Sequence, residues 1–233
     1  MGNQASESAV PAVVILVAGT HATGFQDVLV PTAERLRSRL RGGAVVEVLR
    51  YPASGLILSR EWPAFAVFGT SPREGVRALT RRLEELGSTA PGQCPVVPIG
   101  FSQGALVVTE TLSRPEDRRF ARSLPALSPS ARRSVWAAVS IGNPAFRAGE
   151  PFNQGTPLPG VSGMLARPSG ALDAMGDSIL DVAEHDDVAA QHVRTATMAG
   201  HLEYGSRGYA DRIADWVVNK VDERLSRSES TVG

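Results

Sequence analysis

Pro95-Val96-Val97-Pro98-Ile99, then Gly100-Phe101-Ser102-Gln103-Gly104, then Ala105-Leu106-Val107-Val108 decide the fold of this 233-residue chain. An apolar run, a pentapeptide with glycine at each end and serine at its centre, and a second apolar run read as strand, sharp turn and helix. The turn forces Ser102 into a strained backbone conformation at the strand tip, and the glycines let strand and helix pass close together. The hydroxyl then stands clear of the sheet. The helix behind it aims its N–H groups and the positive end of its dipole at the same point. Ser102 is therefore a candidate nucleophile. Alone, the pentapeptide is a weak signal, since an ordinary surface serine also fits a tight turn. Its flanks and the residues downstream strengthen it.

Working outward from the turn, Val13 to Val17 is a continuous apolar run, the pattern of a strand covered on both faces in a parallel sheet. It ends at Ala18-Gly19-Thr20, and Thr20 is a candidate second donor, through its backbone N–H, to an oxyanion beside Ser102. Val30 to Leu40 reads as a helix stopped by Gly42-Gly43, and Ala44 to Tyr51 as a second strand ending at Pro52. Ser71 to Gly87 is the best-marked helix: Ser71 as N-cap, Pro72 in the first turn, Glu74 completing a capping box, and Val76, Leu79, Leu83 and Leu86 as the apolar stripe. Val135 to Ile141 is a further strand. From Gly142 to Gly170 the chain is rich in Gly and Pro, a loop expected to line a substrate cleft. A weak strand is expected at Ala171 to Met175, a short helix at Asp187 to Thr195, and a clear helix at Gly208 to Leu225.

Composition narrows the function. The 24 basic and 24 acidic residues cancel, which leaves no global field to attract nucleic acid or an anionic membrane. Arginines cluster between Ser113 and Arg133, but acids and prolines interrupt them, so this stretch reads as a solvated surface insertion. The single cysteine, Cys94, cannot form an intramolecular disulfide and reads as a small structural residue. Met1 to Ser8 is polar without a basic signal-peptide start, and Ala12 to Ala18 is shorter than the ~20 residues that span a bilayer. Synthesis in the cytoplasm without a signal peptide is the expectation. One α/β domain is expected over residues 11–225, with a flexible N-terminus (1–10) and a disordered tail (226–233).

A serine nucleophile needs a base to take its proton and an acid to orient that base. Of the four histidines, His201 follows Ser102 and sits in a glycine-flanked segment, Gly200-His201-Leu202-Glu203-Tyr204-Gly205, just before the last helix. His21 lies upstream, and His185 and His192 read as surface residues. For the acid, Asp177 in Met175-Gly176-Asp177-Ser178 is preferred, with Asp173 and Asp181 as rivals. The run Glu184-His185-Asp186-Asp187 suggests a metal, but adjacent residues on a helix diverge and no established ligand spacing accompanies them, so no metal is expected.

With these residues in hand, the chain resembles the cutinase-like serine esterases of the α/β-hydrolase superfamily. The resemblance rests on Gly19-Thr20, Tyr51-Pro52-Ala53, the Ser102 pentapeptide, Gly142-Asn143-Pro144, Gly176-Asp177 and His201-Leu202-Glu203-Tyr204-Gly205. It implies a central, mostly parallel sheet flanked by helices, with no large lid. It implies Ser102, Asp177 and His201 as the triad and Thr20 and Gln103 as the oxyanion hole, and with the Gly- and Pro-rich loop it suggests a lipid-ester substrate; no cofactor and a monomer are the further expectations. Secreted cutinases carry disulfides and a signal peptide; phage lysin B esterases lack both and cut the ester joining mycolic acids to arabinogalactan. Ile141-Gly142-Asn143-Pro144 looks closer to that branch. A minimal lysin B-like enzyme acting on mycolyl esters of a host cell envelope is thus the leading expectation. A general cutinase- or lipase-type carboxylesterase is the alternative. A catalytically dead module that binds lipid or protein is the alternative of another class.

Overall fold

A computed structural model describes residues 10–22, 25–57, 66–89 and 94–232, so residues 1–9 of the expected flexible N-terminus lie outside the described residues. In chain order, β1 (Ala12–Val17) leads to α1 (Val30–Arg39) and β2 (Ala44–Val48). A small antiparallel pair, β3 (Leu56–Ile57) and β4 (Ala66–Val67), stands apart from the main sheet. Then follow α2 (Ser71–Thr89), β5 (Val96–Phe101), α3 (Gln103–Leu112), α4 (Pro129–Ser134), β6 (Ala138–Ile141) and β7 (Asn153–Gly155). The chain closes with β8 (Ile179–Ala183), α5 (Met198–Leu202) and α6 (Tyr209–Val232).

The six-stranded sheet runs in the order β2-β1-β5-β6-β8-β7, and its described pairings are parallel. Side chains alternate across a strand. Val14 and Leu16 of β1 accordingly join the layer under α1 and α6, with Leu36, Ile213 and Val217. Val13, Ile15 and Val17 join the layer under α2 and α3, with Val76, Leu79, Leu83 and Val107. Helices on both faces explain why β1 and β5 are buried along their whole length. This is the expected α/β-hydrolase arrangement. No described helix is long and apolar enough to cross a membrane.

Sheet order also places the site. The chain leaves β1 for β2 on one side and returns through β5 on the other, so the strand order reverses between β1 and β5. Open parallel sheets bind ligands in the crevice at such a point, outside the carboxyl ends of the strands. Ser102 stands at the end of β5 and Thr20 just past the end of β1.

Four expectations change. Ala171 to Met175 is not a strand: a short 3-10 turn covers Asp173–Ser178 and the strand begins at Ile179. Asp187 to Thr195 forms turns rather than a helix, with Asp187 in a single bridge to Thr197. The last helix does not stop at Leu225 but continues to Val232. Hydroxyls of Ser226, Ser228 and Ser230 bond to carbonyls one turn back, at 2.9, 3.0 and 2.8 Å, so serines that suggest disorder fit the helix instead. The arginine-rich insertion is not solvated throughout, because Arg118 is fully buried. Its guanidinium donates to the carbonyls of Thr111, Ser113, Leu124 and Pro125, fastening the insertion to the end of α3.

Candidate active site

The turn at Ser102 has the strain its sequence implies. Ser102 has φ 56° and ψ −119°, a region that non-glycine residues rarely occupy and that costs ~1–3 kcal/mol. The flanking glycines are explained by contact. A Cβ on Gly100 would lie 2.3 Å from the Gly104 carbonyl oxygen, and one on Gly104 would lie 1.9 Å from that of Val17. Strand β5, helix α3 and the neighbouring β1 can approach this closely only without side chains there. The backbone N–H of Ser102 donates to Ile141 O at 2.8 Å, fixing the turn against the end of β6.

His201 reaches Ser102 from α5, 99 residues along the chain. Its Nε2 lies 2.9 Å from Ser102 Oγ, and its Nδ1 lies 2.8 Å from Asp187 Oδ1. A carboxylate only accepts, so Nδ1 carries the hydrogen and Nε2 is left to accept the serine proton. Thr197 caps α5 by accepting the Gly200 N–H at 3.0 Å. Phe101 stacks on the imidazole, with ring centroids 4.8 Å apart and planes at 28°. Asp187 is fully buried. Burial alone would raise its pKa, but the facing His201, the Tyr204 hydroxyl and the Ala190 N–H outweigh it and hold the carboxyl below its ordinary value.

Asp187 therefore takes the place expected for Asp177. Asp177 is exposed and bound to Lys220 Nζ at 3.0 Å, which lowers its pKa. It precedes β8, whereas the serine and histidine meet beyond the opposite ends of the strands. Five residues of β8 separate the two ends, roughly 16 Å at the usual strand rise. Neither rival fits. Asp173 is exposed on the same turn, and Asp181 is buried inside β8 against Arg167 Nη1 at 2.7 Å. His185 and His192 are exposed, as expected.

Thr20 and Gln103 meet. Gln103 is fully buried; its Nε2 donates to Ser54 O at 2.8 Å and to Thr20 Oγ1 at 3.3 Å, and its Oε1 accepts from Ser71 Oγ at 2.8 Å. Ser71 is thus turned toward the elbow rather than capping its helix, and Thr70 makes the bond to Glu74 instead, at 2.9 Å. The Tyr51-Pro52-Ala53 segment has a related role. Tyr51 donates to the Ala18 carbonyl, and Ala53 O accepts the His21 N–H at 2.8 Å. These bonds brace the loop after β1, where His21 and Ala22 hold positive φ of 54° and 58°. Gln103 opens α3, so its main-chain N–H belongs to the first turn, where no intrahelical partner exists.

Glu184, His185 and Asp186 bring ligand-capable atoms within 4.8 Å of one another. Arg207 lies across this group, donating to Glu184 at 3.0 Å and to Asp186 at 2.7 Å. The cluster is an ion-pair network in which a guanidinium supplies the positive charge.

Comparison with known proteins bears on the family and the fold. The sequence model of the family described as Cutinase matches residues 8–221. The chain is 28% identical over 147 residues to Cutinase 11 of Verticillium dahliae, covering 62% of this chain and about half (48%) of that protein. It is 29% identical over 175 residues to acetylxylan esterase 2 of Talaromyces purpureogenus, covering 72% of this chain and 71% of that one. The catalytic core of an acetyl xylan esterase from Trichoderma reesei superposes with a TM-score of 0.67 at 21% identity, over 90% of this chain and 98% of that one. A cutinase-like protein from Cryptococcus sp. gives 0.67 at 23% identity, over 91% and 96%. These structures share the fold.

Proposed function

Since the chain belongs to the cutinase family, we propose that it is a serine carboxylic-ester hydrolase with Ser102 as nucleophile, His201 as base and Asp187 as orienting acid. The observation that carries this reading is the unbroken relay Ser102 Oγ–His201 Nε2 at 2.9 Å and His201 Nδ1–Asp187 Oδ1 at 2.8 Å, on a strained serine at a sheet switch point.

In this reading His201 Nε2 takes the Ser102 proton as Oγ attacks the ester carbonyl. The oxyanion faces the main-chain N–H of Gln103 and that of Thr20. One such donor is typically worth ~10²–10³ in rate. The protonated imidazole, its charge balanced by Asp187, gives the proton to the departing alcohol. Water then enters, loses its proton to His201, and frees the acid from Ser102. The Gln103 side chain serves a separate purpose, keeping Thr20 in place by bonding Thr20, Ser54 and Ser71 at once.

On the substrate, the relatives named above are cutinases and acetylxylan esterases. They support a general carboxylic-ester hydrolase over the mycolyl-specific, lysin B-like enzyme that the Ile141–Pro144 segment suggests. Short acyl esters are therefore the first substrates to try. Ser102→Ala should reduce p-nitrophenyl acetate and butyrate hydrolysis to background while the melting temperature stays near that of the parent. A fluorophosphonate probe should label the parent and not the variant. Retained turnover in Ser102→Ala removes Ser102 as the nucleophile and overturns the reading; a parent that is inactive and unlabelled overturns it too and leaves a binding module of the same fold.

A further inference from the structure

Only one oxygen of the Asp187 carboxylate faces the histidine. Oδ1 accepts from His201 Nδ1 at 2.8 Å and from the N–H groups of Ala189 and Ala190 at 2.7 and 3.2 Å. Oδ2 accepts from Tyr204 Oη at 2.7 Å. Tyr204 is 1% exposed, and its hydroxyl oxygen also accepts the Glu184 N–H at 3.1 Å. The phenol oxygen thus receives one hydrogen bond and gives one, and the one it gives goes to Asp187. Burial, reinforced by that neighbouring carboxylate, pushes the phenol pKa well above its ordinary value, so it remains a donor. The ring stands edge-on to Phe101 at 6.1 Å, and Phe101 is the ring stacked on His201.

Resting on the triad read above, we propose that Tyr204 is a positioning residue of the esterase reaction. Its hydroxyl fixes the rotation of the Asp187 carboxylate, so that Oδ1 meets Nδ1, and takes up part of the carboxylate charge that the imidazole would otherwise feel. A second tier holds Tyr204 and its neighbours. Glu184 accepts from the Tyr209 hydroxyl, from Thr156 Oγ1 at 2.8 Å and from Arg207 at 3.0 Å, while Arg207 also binds Asp186 and Glu203. Among the described residues, Asp187, Glu184, His185, Asp186, Glu203, Arg207 and Tyr209 are the charged and titratable groups around this relay. Tyr204 is buried in the core beside Tyr209 and its hydroxyl is bonded to Asp187, so it acts on the acid.

Two consequences separate positioning from mere packing. Without the phenol, Oδ2 loses a charge-assisted bond in a dry site and the carboxylate is held through Oδ1 alone, by Ala189, Ala190 and His201, which loosens its alignment and slows proton transfer. The carboxylate charge is also less shared, so the imidazole keeps its proton to higher pH and the acidic limb of kcat/KM moves up.

The test is Tyr204→Phe, which keeps the ring, beside Tyr209→Phe, which removes a hydroxyl one bond further out. With p-nitrophenyl acetate, Tyr204→Phe should lower kcat about ten- to a hundredfold, the worth of one buried bond to a charged group. KM should stay within about twofold, and the acidic limb should rise by about half a pH unit or more. Tyr209→Phe acts only through Glu184, so it should move kcat and the acidic limb in the same direction but by less than Tyr204→Phe does. A folded Tyr204→Phe whose acidic limb does not move overturns the proposal, whether or not kcat falls. Should Tyr204→Phe not fold, 3-fluorotyrosine at position 204 keeps the shape and strengthens the donor; the limb should then move down, and no movement overturns the proposal. Fluorophosphonate labelling of the parent distinguishes the two failures. A labelled parent with unmoved variants removes only the role of Tyr204, whereas an unlabelled, inactive parent removes the triad reading and this proposal with it.

Discussion

Two aspartates ten positions apart sit in opposite environments. Asp187 is sealed from solvent and takes four hydrogen bonds, from His201, Tyr204, Ala189 and Ala190. Asp177 is exposed and holds a lysine. Substituting each by asparagine removes one charge and almost no volume, so the pair isolates chemistry from packing. Asp187→Asn presents an amide where His201 Nδ1 needs an acceptor, which favours the wrong imidazole tautomer; a fall in kcat of ~10⁴ is the scale known for this substitution in serine triads. Asp177→Asn loses one exposed ion pair, and such pairs are worth at most ~1 kcal/mol. Its kcat should stay within about twofold of the parent. Ester hydrolysis by the two purified variants decides the matter, and the reverse ranking would return the acid to position 177.

At the scale of elements, the misplaced acid has a definite cause. The strand that carries it, Ile179-Leu180-Asp181-Val182-Ala183, has a carboxylate at its centre, and a charge breaks the apolar run by which buried parallel strands are recognised. Asp181 is tolerated there because Arg167, 14 residues upstream, supplies a buried partner at 2.7 Å, and that pairing is not legible before the chain folds. With the strand read eight residues too early, the loop beyond it shifts as well, and Asp177 inherits the role of Asp187. The elements marked by local chemistry are legible: β1 and β5 by their unbroken apolar runs, α2 by its stripe, the Ser102 turn by its glycines. The same contrast appears in the insertion after α3. Its arginines read as surface charge, yet Arg118 supplies hydrogen bonds to a set of carbonyls at and beyond the end of that helix. Arg118→Met keeps the length of the stem but leaves several buried acceptors bare, at ~1–3 kcal/mol each before relaxation. A loss of about 3 kcal/mol is expected, which for a domain of this size lowers the melting temperature by roughly 6–12 °C. Thermal unfolding of the variant measures this directly. A change under about 2 °C would return the insertion to the solvated surface.

For the molecule as a whole, 24 positive and 24 negative residues cancel, so the pH dependence of stability follows individual environments rather than a net field. Most shifted carboxyls act in one direction. Asp177, Asp186 and Asp211 are held below their ordinary value, chiefly by Lys220, Arg207 and Arg35 respectively. A lowered folded-state pKa means the unfolded chain binds more protons, so these groups contribute stability above the ordinary aspartate range and lose it as pH falls through their folded values. Glu110 acts in the opposite sense. Burial raises its pKa, and the N–H groups of Phe120 and Arg119 with the charge of Arg118 only partly offset this. The folded chain then binds more protons than the unfolded one between the ordinary glutamate value and the raised one, and stability drops as pH climbs through that window. Glu110→Gln removes the titration and retains an oxygen able to accept the Arg119 and Phe120 N–H bonds, which stand at 2.8 and 3.0 Å. Urea unfolding of parent and variant from pH 4 to 8 should therefore give a difference that moves in favour of the variant as pH rises from about 4.3, the ordinary glutamate value, and levels off once Glu110 is ionised in both states. The aspartate contributions are common to both proteins and cancel in the difference. A difference that stays flat across the range would mean that Glu110 is ionised in the folded chain at no cost, and that the contact between the insertion and α3 is open to water.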